Sequence, residues 1–527
     1  MCGIWTYISK TKKNNYYEYF NKIAHRGPDA SIYMNYKEAA IGFHRLAIIN
    51  KDMKAMQPFI DKNLILICNG EIYNYKDLAY KYNIKCVNDC MCLLQLFKKV
   101  GLEEFIKIVN SEIIGEFAFI ILKFDDNNEK LDQIIVGRDI FGVRPLYHSK
   151  NGDDEFIFSS ELKGVPKDFK EVYEFPCGSI IVYDYYNNIE KSYDITRDIY
   201  NTEISSEYDL SDIKKSLIEA VKIRLMADDV EDIGFYLSGG LDSSILCSIA
   251  SKLVYPKQIK TFSIGFENST DLPFASKVAK HINSIHKEVI ITEKEALDAI
   301  DDVIYATCTF DITTIRASCG QYLLSKYIKE NTNIKIIING DGSDEVLGGY
   351  IFNYYAPNED AFHNSCMKYT KNIHMYDGRR LDRSLAYFGL EARVPFLDIN
   401  FVKTIWQIPK KMRMPTYSNC EKFLLRQAFN DESYLPQDCL FRKKEAFSDG
   451  ISSKEKSWFS IINEKMNEID INEDDLMGPS KEADYYKRKF IEYFGEERLN
   501  IIPGYWQPDF IAAKIYIDPS ARVLKIY

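Results

Sequence analysis

Two groups of residues have types and spacings that could do chemistry. The first is a cysteine at position 2, in "MCGIW". Once the initiator methionine is removed, its thiol and a free α-amine, with an ordinary pKa of about 7.7 to 8.0, belong to one residue. Nucleophile and base then need no second side chain. Taken alone, Cys2 is more simply a small residue that opens a strand. The second group is the loop in "GFYLSGGLDSSIL". Two glycines stand between an apolar run and a helix start, where free backbone N–H groups and the helix dipole favour an anion. Ser238, Ser243 and Ser244 add hydroxyls, and the loop is neither a Walker A loop nor GxGxxG. Asp242 lies inside it, and "INGDGSDEVLGGY" puts Asp341, Asp344 and Glu345 just past a second apolar run. Carboxylates beside phosphates repel them unless Mg²⁺ lies between, so the pattern suggests a magnesium nucleotide. A solvated acidic loop is the plain alternative.

The surrounding periodicities say what must position these groups. To about residue 190 the chain shows short β-like runs, among them "AAIGFHRLAII", "LILICNG", "EFAFIILKF" and "QIIVGRD", with a helical pattern from Asp89 to Val100. Sheets with a few covering helices are expected there. The polar segment "NNIEKSYDITRDIYNTEISSEYD" reads as a linker. Beyond it, helical patterns alternate with the apolar runs "IGFYL", "KTFSIGF", "KEVIIT" and "IKIIING". A βαβα rhythm of that kind predicts a doubly wound parallel sheet, and the stretch after about residue 375 reads as covering helices. The two domains span 2–190 and 205–527. With 527 residues, the chain is long enough for both cores.

Composition narrows the function classes. The net charge of −10 and the lack of a long basic run argue against a nucleic-acid partner. The 12 cysteines form no CxxC pair and the 7 histidines no HExxH pattern, which leaves a structural zinc site little support. Reduced thiols in a cytoplasmic protein are the simplest account. Apolar runs such as "IIGEFAFIIL" fall short of a membrane span, so no membrane partner is expected. His25 and His44, each beside an arginine, are read as structural, and Cys90 and Cys92 as core or surface thiols.

The two groups carry a family resemblance. "SGGLDSS" resembles the pyrophosphate loop of AMP-forming, ATP-pyrophosphatase-type synthetases, and "MCGI" resembles the start of class II glutamine amidotransferases. Together they resemble the glutamine-hydrolysing asparagine synthetases of the short form. "HRGPD", "FHRLAIIN", "NGEIYN", "ELKGV", "DITTIRAS", "GSDEVLGGY", "LEARVPFLD" and "KKEAFSDG" occur in that family's order along nearly the whole chain.

The fold implied is an αββα sandwich of the N-terminal-nucleophile type followed by an α/β synthetase domain. The resemblance implies Cys2 as nucleophile on glutamine, with Asn69 and the Gly70 N–H as oxyanion hole. Arg45 and the loop through Leu46, Ala47, Ile48 and Ile49, with Glu71 and Asp89, would bind glutamine. ATP would lie on Tyr236, Leu237, Ser238, Gly239, Gly240, Asp242, Ser243, Ile264, Asn339 and Gly340. Aspartate would meet Thr313, Thr314 and Arg316, Mg²⁺ would meet Asp242 and Asp344, and Asp341 and Lys444 would act in adenylation. The substrates implied are glutamine, aspartate and ATP, and the resemblance leaves a homodimer open.

Asp341 in place of Glu, Asn339 in place of Ser and Tyr236 in place of Leu depart from the short-form pattern. The latter two are expected to act through backbone. They keep two rivals in view. One is an AMP-forming amidotransferase acting on another carboxylate, and the other a catalytically silent nucleotide-binding homologue.

Overall fold

The computed structural model describes residues 1–11, 14–152, 154–469 and 475–511, so residues 512–527 of the expected second domain lie outside the described residues. The first half carries strands β1 (Gly3–Ser9), β2 (Ala30–Tyr36), β3 (Ala39–Arg45), β4 (Phe59–Asp61), β5 (Leu64–Ile72), β6 (Gly115–Phe124), β7 (Leu131–Arg138), β8 (Tyr147–Asn151), β9 (Glu155–Ser159), β10 (Val172–Glu174), β11 (Ser179–Asp184) and β12 (Ile189–Asp194). They form two six-stranded sheets, ordered β10-β8-β9-β1-β3-β2 and β12-β11-β7-β6-β5-β4. The strand alternation sorts side chains by face. Along β5, Ile65 and Ile67 point into the core between the sheets with Ile4, Phe43 and Phe158. Leu64, Leu66 and Cys68 point outward against Leu93, Leu96 and Phe105. Those three come from helices Met91–Val100 and Leu102–Ser111, which make the α layer on that side. The sandwich is therefore the αββα arrangement expected.

The expected linker behaves differently in its first part. Residues 189–194 are the edge strand β12, paired with β11 over six registered positions. All but one of its residues are exposed, so it carries no apolar alternation to betray a strand, and a boundary at residue 190 cuts it.

In the second half, β13 (Ile233–Tyr236), β14 (Lys260–Gly265), β15 (Ile285–Ile290), β16 (Ile336–Ile338) and β17 (Glu391–Arg393) form a parallel sheet ordered β15-β14-β13-β16-β17. The chain winds outward from β13 through β14 to β15, then returns to lay β16 on the other side of β13. That reversal is the topological switch point, where such sheets open a ligand crevice at the carboxyl ends of their strands. The loops that follow β13 and β16 carry Ser238–Gly240 and Asn339–Gly342. Asp242, expected inside the loop, and Asp344 lie in the first turns of the helices that follow, Leu241–Val254 and Ser343–Leu347.

The halves meet through buried ion pairs. Arg26 donates to Asp382 at 2.9 Å, Arg224 to Glu116 at 3.0 Å, and Arg393 lies 3.5 Å from Glu71. His374 holds Glu174 at 2.7 Å, and Arg379 also pairs with Glu174. Burial opposes the charge on His374, but Cys177 and Glu174 outweigh it and hold its pKa up to about 9. A pKa raised on folding adds stability that is complete below the unfolded value, about 6.5, and is lost as pH rises through the folded one. The thermal midpoint is expected to fall between pH 6.5 and 9, and the fall to flatten in His374→Gln, as read by calorimetry.

Candidate functional site

Cys2 immediately precedes β1, and its sulfur accepts a 3.4 Å hydrogen bond from the Leu46 N–H. Arg26 Nε holds the Cys2 carbonyl at 3.0 Å. With Met1 in place, burial pushes the Cys2 thiol up to about 12, and burial also lowers the terminal ammonium at Met1 to about 5. Burial at this terminus favours the neutral form of the Met1 amine. Met1 itself is fully buried, its sulfur 2.6 Å from Arg144 Nη1. A protein that keeps Met1, or bears an N-terminal tag, is expected to lack glutaminase, because the α-amine of Cys2 is then an amide. Glutamate release by mass-verified processed and unprocessed protein checks this.

Asn69 is fully buried, and neither side-chain polar atom has a partner among the described residues. A buried amide left open in this way is costly unless a ligand completes it, which fits a donor awaiting an oxyanion. Gly70 beside it is fixed by contact. A Cβ there would lie 2.2 Å from the Glu116 carbonyl of the paired strand β6. Arg45 is buried, its guanidinium donating to the carbonyls of Asp52 at 2.9 Å and Asn50 at 2.5 Å, which ties the 46–49 loop to one shape.

Glu71 and Asp89 are buried near Glu391. Burial, with Glu391 and Asp89 adding repulsion, raises Glu71 well above the carboxylate range, and burial carries Asp89 up to about 6. A cationic ligand group relieves that repulsion. His25 pairs with Glu161 at 3.1 Å, and His44 with Ser31 at 2.6 Å, in keeping with structural roles. Cys90 is buried with its thiol on the Gly70 carbonyl at 3.3 Å.

The second site is a cavity of about 530 Å³ at the switch point, with Tyr236, Leu237, Ser238, Gly240, Asp242 and Ser243 in its wall. Ile264, Thr313, Arg316, Asn339, Gly340, Asp341, Asp344 and Lys444 line it too. Ser238 and Ser243 hydroxyls lie 3.0 Å apart at the start of helix Leu241–Val254. Gly239 sits behind this wall at φ +76, where a Cβ would meet the Ala275 nitrogen at 2.4 Å. Thr314 is also outside the wall. Its hydroxyl donates to Asp311 at 2.6 Å as part of the cap of helix Ile312–Asn331, one residue round the helix from Thr313. Arg316 reaches the cavity but is gripped by Glu482, from the helix Lys481–Phe494, with Nε at 2.7 Å.

Lys422 is a site residue that the sequence did not reveal. Its side chain is 1% exposed, and its ammonium lies 2.6 Å from both Asp242 and Asp344. Lys444 takes the other Asp344 oxygen at 2.6 Å. Despite burial, these two ammonium groups hold Asp344 far below the usual carboxylate range. Two further residues were missed: Arg380 donates to Asp341 at 3.0 Å and Gln321 at 3.3 Å. Burial raises the pKa of Asp341 all the same. Asn339 acts through more than backbone, because its side-chain carbonyl accepts the Asp341 N–H at 2.6 Å and fixes where that carboxylate starts.

A terminal thiol with an open amide donor, joined on one chain to an anion crevice lined by acids and lysines, defines an amidotransferase coupled to a nucleotide-using synthetase. The comparisons agree. The family described as "Glutamine amidotransferase domain" matches residues 1–209, and "Asparagine synthase" matches 212–360 and 353–500. The probable glutamine-hydrolysing asparagine synthetase of Acanthamoeba polyphaga mimivirus is 38% identical, covering 100% of both chains. The Homo sapiens asparagine synthetase is 37% identical over 100% of this chain and 99% of its own. The chain belongs to the family of glutamine-hydrolysing asparagine synthetases.

Proposed function

We propose that this chain makes asparagine from aspartate and ATP with nitrogen released from glutamine at Cys2. The observation that carries this is the pairing, on one chain, of the buried, unpartnered Asn69 amide in the half that begins with Cys2 with the Asp242, Asp344, Lys422 and Lys444 cluster in the crevice. In the first site the Cys2 thiol attacks the glutamine side-chain amide, and its α-amine takes the thiol proton and passes it to the leaving ammonia. Asn69 and the Gly70 N–H hold the oxyanion. Glu71 and Asp89 hold the α-ammonium of glutamine, and Arg45 shapes the loop against its carboxylate. The remaining thioester is cleaved by water to glutamate.

In the second site the Ser238–Ser243 loop and the helix start bind the phosphates of ATP, and the β-carboxylate of aspartate attacks the α-phosphorus. Lys444 and Lys422 balance the charge that builds on the phosphate oxygens. Pyrophosphate leaves, and ammonia displaces AMP from β-aspartyl-AMP to give asparagine. Thr313 and Arg316 face the aspartate side. Asp242 and Asp344 converge on one ammonium, so the same two carboxylates fit a divalent cation held with phosphates. When bound, Mg²⁺ supplies charge neutralisation on those phosphates.

No helix of the described residues is long and apolar enough to cross a membrane. All twelve cysteines are free thiols, which supports a reducing, cytoplasmic setting. Incubation with glutamine, aspartate and MgATP is expected to yield asparagine, glutamate, AMP and pyrophosphate together. Glutamate without AMP, or AMP with a different amide, sinks the proposal.

Asp341 gives a further prediction. Arg380, Gln321 and Asn339 hold it in place, so the shorter acid is functional as it stands. Asp341→Asn is expected to slow pyrophosphate release by about 10²-fold in single-turnover assays at saturating aspartate, whereas Asp341→Glu is tolerated. An Asn variant as fast as the parent removes the carboxylate from the reaction.

A further inference from the structure

Residues 504–511 have neither helix nor strand, yet they are fastened to the second half at several points. The Trp506 N–H donates to Asp311 at 2.6 Å. From the helix Glu359–Lys371, the Tyr369 hydroxyl donates to the Gln507 carbonyl at 2.6 Å, and Ser365 and Lys368 hold Asp509 at 2.9 and 2.5 Å. Tyr505 packs on Phe310, with ring centres 5.8 Å apart. Trp506, Pro508 and Ile511 line the 530 Å³ cavity, whereas Gln507, between the first two, is exposed. An extended segment that sends alternate side chains to opposite faces can be tied down on one side and form a wall on the other.

The contacts of Trp506 lead to the side of the crevice proposed for aspartate. Asp311 is buried and caps the helix Ile312–Asn331: one oxygen takes the Thr314 N–H at 2.8 Å, the other the Trp506 N–H. One carboxylate thus sets the helix turn that carries Thr313 against this segment. The Trp506 indole packs on Tyr350, Phe352 and Tyr369, at ring-centre distances of 5.6, 6.0 and 5.7 Å. The Tyr350 hydroxyl in turn donates to Glu345 at 2.5 Å and lies 3.2 Å from Asp377. Glu345, Asp377 and Arg380 line the cavity together with Asp341.

Under the proposed function, this crevice holds β-aspartyl-AMP until ammonia arrives, and water competes for the same carbon. A water oxygen bonds to the acyl carbon, the bond from that carbon to the AMP oxygen breaks, AMP leaves with the electron pair, and the protons of the water pass to solvent. Aspartate is regenerated and ATP is consumed without product. Closing a site against water prevents hydrolysis of reactive intermediates of this kind. We infer that residues 504–511 are the wall that keeps water from the adenylate, with Trp506 as the positioning residue that seats the wall on Asp311 and Tyr350. The segment then sets how much adenylate ends as amide and how much is lost to hydrolysis.

The test uses full-length protein carrying Trp506→Ala, Trp506→Phe or Asp509→Ala, the last a residue outside the cavity lining. Each is given aspartate, MgATP and ammonium chloride in water labelled with heavy oxygen, and AMP, asparagine and label in the aspartate β-carboxylate are measured together. The parent is expected to form AMP and asparagine in equal amounts. Trp506→Ala is expected to form several-fold more AMP per asparagine, with the excess matched by label in aspartate. Trp506→Phe, which keeps a ring against Tyr350, is expected to bring the ratio back, and Asp509→Ala to raise it by less. A ratio that stays at the parent value in Trp506→Ala and Asp509→Ala overturns the inference, even where the rates fall, because a merely structural loss slows both products alike. Circular dichroism melts check folding, and where Trp506→Ala does not fold, Asp509→Ala alone decides. The parent's asparagine yield tests the proposed function and the variants' ratio tests the wall, so the two failures are distinct.

Discussion

Cys2→Ala is expected to abolish glutamine-dependent asparagine formation while ammonia-dependent formation stays close to the parent rate. Loss of a nucleophile that acts with its base as one unit costs on the order of 10⁴-fold or more. The division of labour follows from position. Cys2 sits by Leu46 at the edge of the first sandwich, and the residues lining the 530 Å³ cavity of the second half do not include it. Removing one sulfur atom leaves Asn69, Arg45 and the crevice unchanged. Steady-state rates with glutamine and with ammonium chloride, on one protein preparation, decide the matter. Equal losses with both nitrogen sources mean that Cys2 supports the synthetase itself.

Lys422→Met is expected to cut AMP formation by about 10² to 10³-fold with either nitrogen source, and to leave glutaminase intact. The ammonium is all but sealed from water and touches two carboxylates at 2.6 Å. Breaking a buried pair by removing one partner costs about 3 to 5 kcal/mol, and here Asp242 loses its lysine while Asp344 keeps only Lys444. Methionine keeps the length and bulk, so the change is mainly one of charge. The sign of the pH effect follows from Asp344, whose pKa folding depresses. Stability from such a group is present above the unfolded value of about 3.9 and is lost as pH falls. Without Lys422 the depression shrinks, so the variant should unfold at a less acid pH than its parent. Pyrophosphate release and acid titration followed by circular dichroism test both halves, with retained glutaminase as the folding control. An unimpaired AMP rate shows that Lys444 alone balances the charge.

The sequence made some of this visible and hid the rest for physical reasons. In the parallel sheet, β13, β14 and β16 were legible because they are buried apolar runs between helical periods, whereas β17, a three-residue strand reading Glu-Ala-Arg, was hidden in the stretch after about residue 375 that reads as covering helices. Cys2 was legible because its place at the terminus is itself chemical information. β12 was hidden because an exposed edge strand need not alternate. Thr314 was placed with Thr313 because adjacency along the chain looks like adjacency in space, whereas one step round a helix turned it onto Asp311. Lys422 was hidden most completely. In "NCEKFLLR" it reads as an ordinary surface lysine, and only the fold shows it in the left-handed region, at φ 53, with its side chain inside. Arg316 was found, but its grip by Glu482 was not, since the partner lies 166 residues further along the chain.

The arginine pairs at the meeting of the two halves bear on whether this chain is divisible. Arg26, Arg144, Arg224 and Arg393 are each nearly sealed from water, and each meets a carboxylate or carbonyl supplied from across the boundary. Each half therefore acts as the solvent for the other's charges. Parted, both would present ionised groups arranged for a counterion that is no longer there. Residues 203–209 are exposed, and none of these four arginines pairs with them, so a cut there is expected to leave the pairs in place. Glutamine hydrolysis and amide formation are thus bound into one inseparable body by electrostatics, with the covalent tether between them almost incidental.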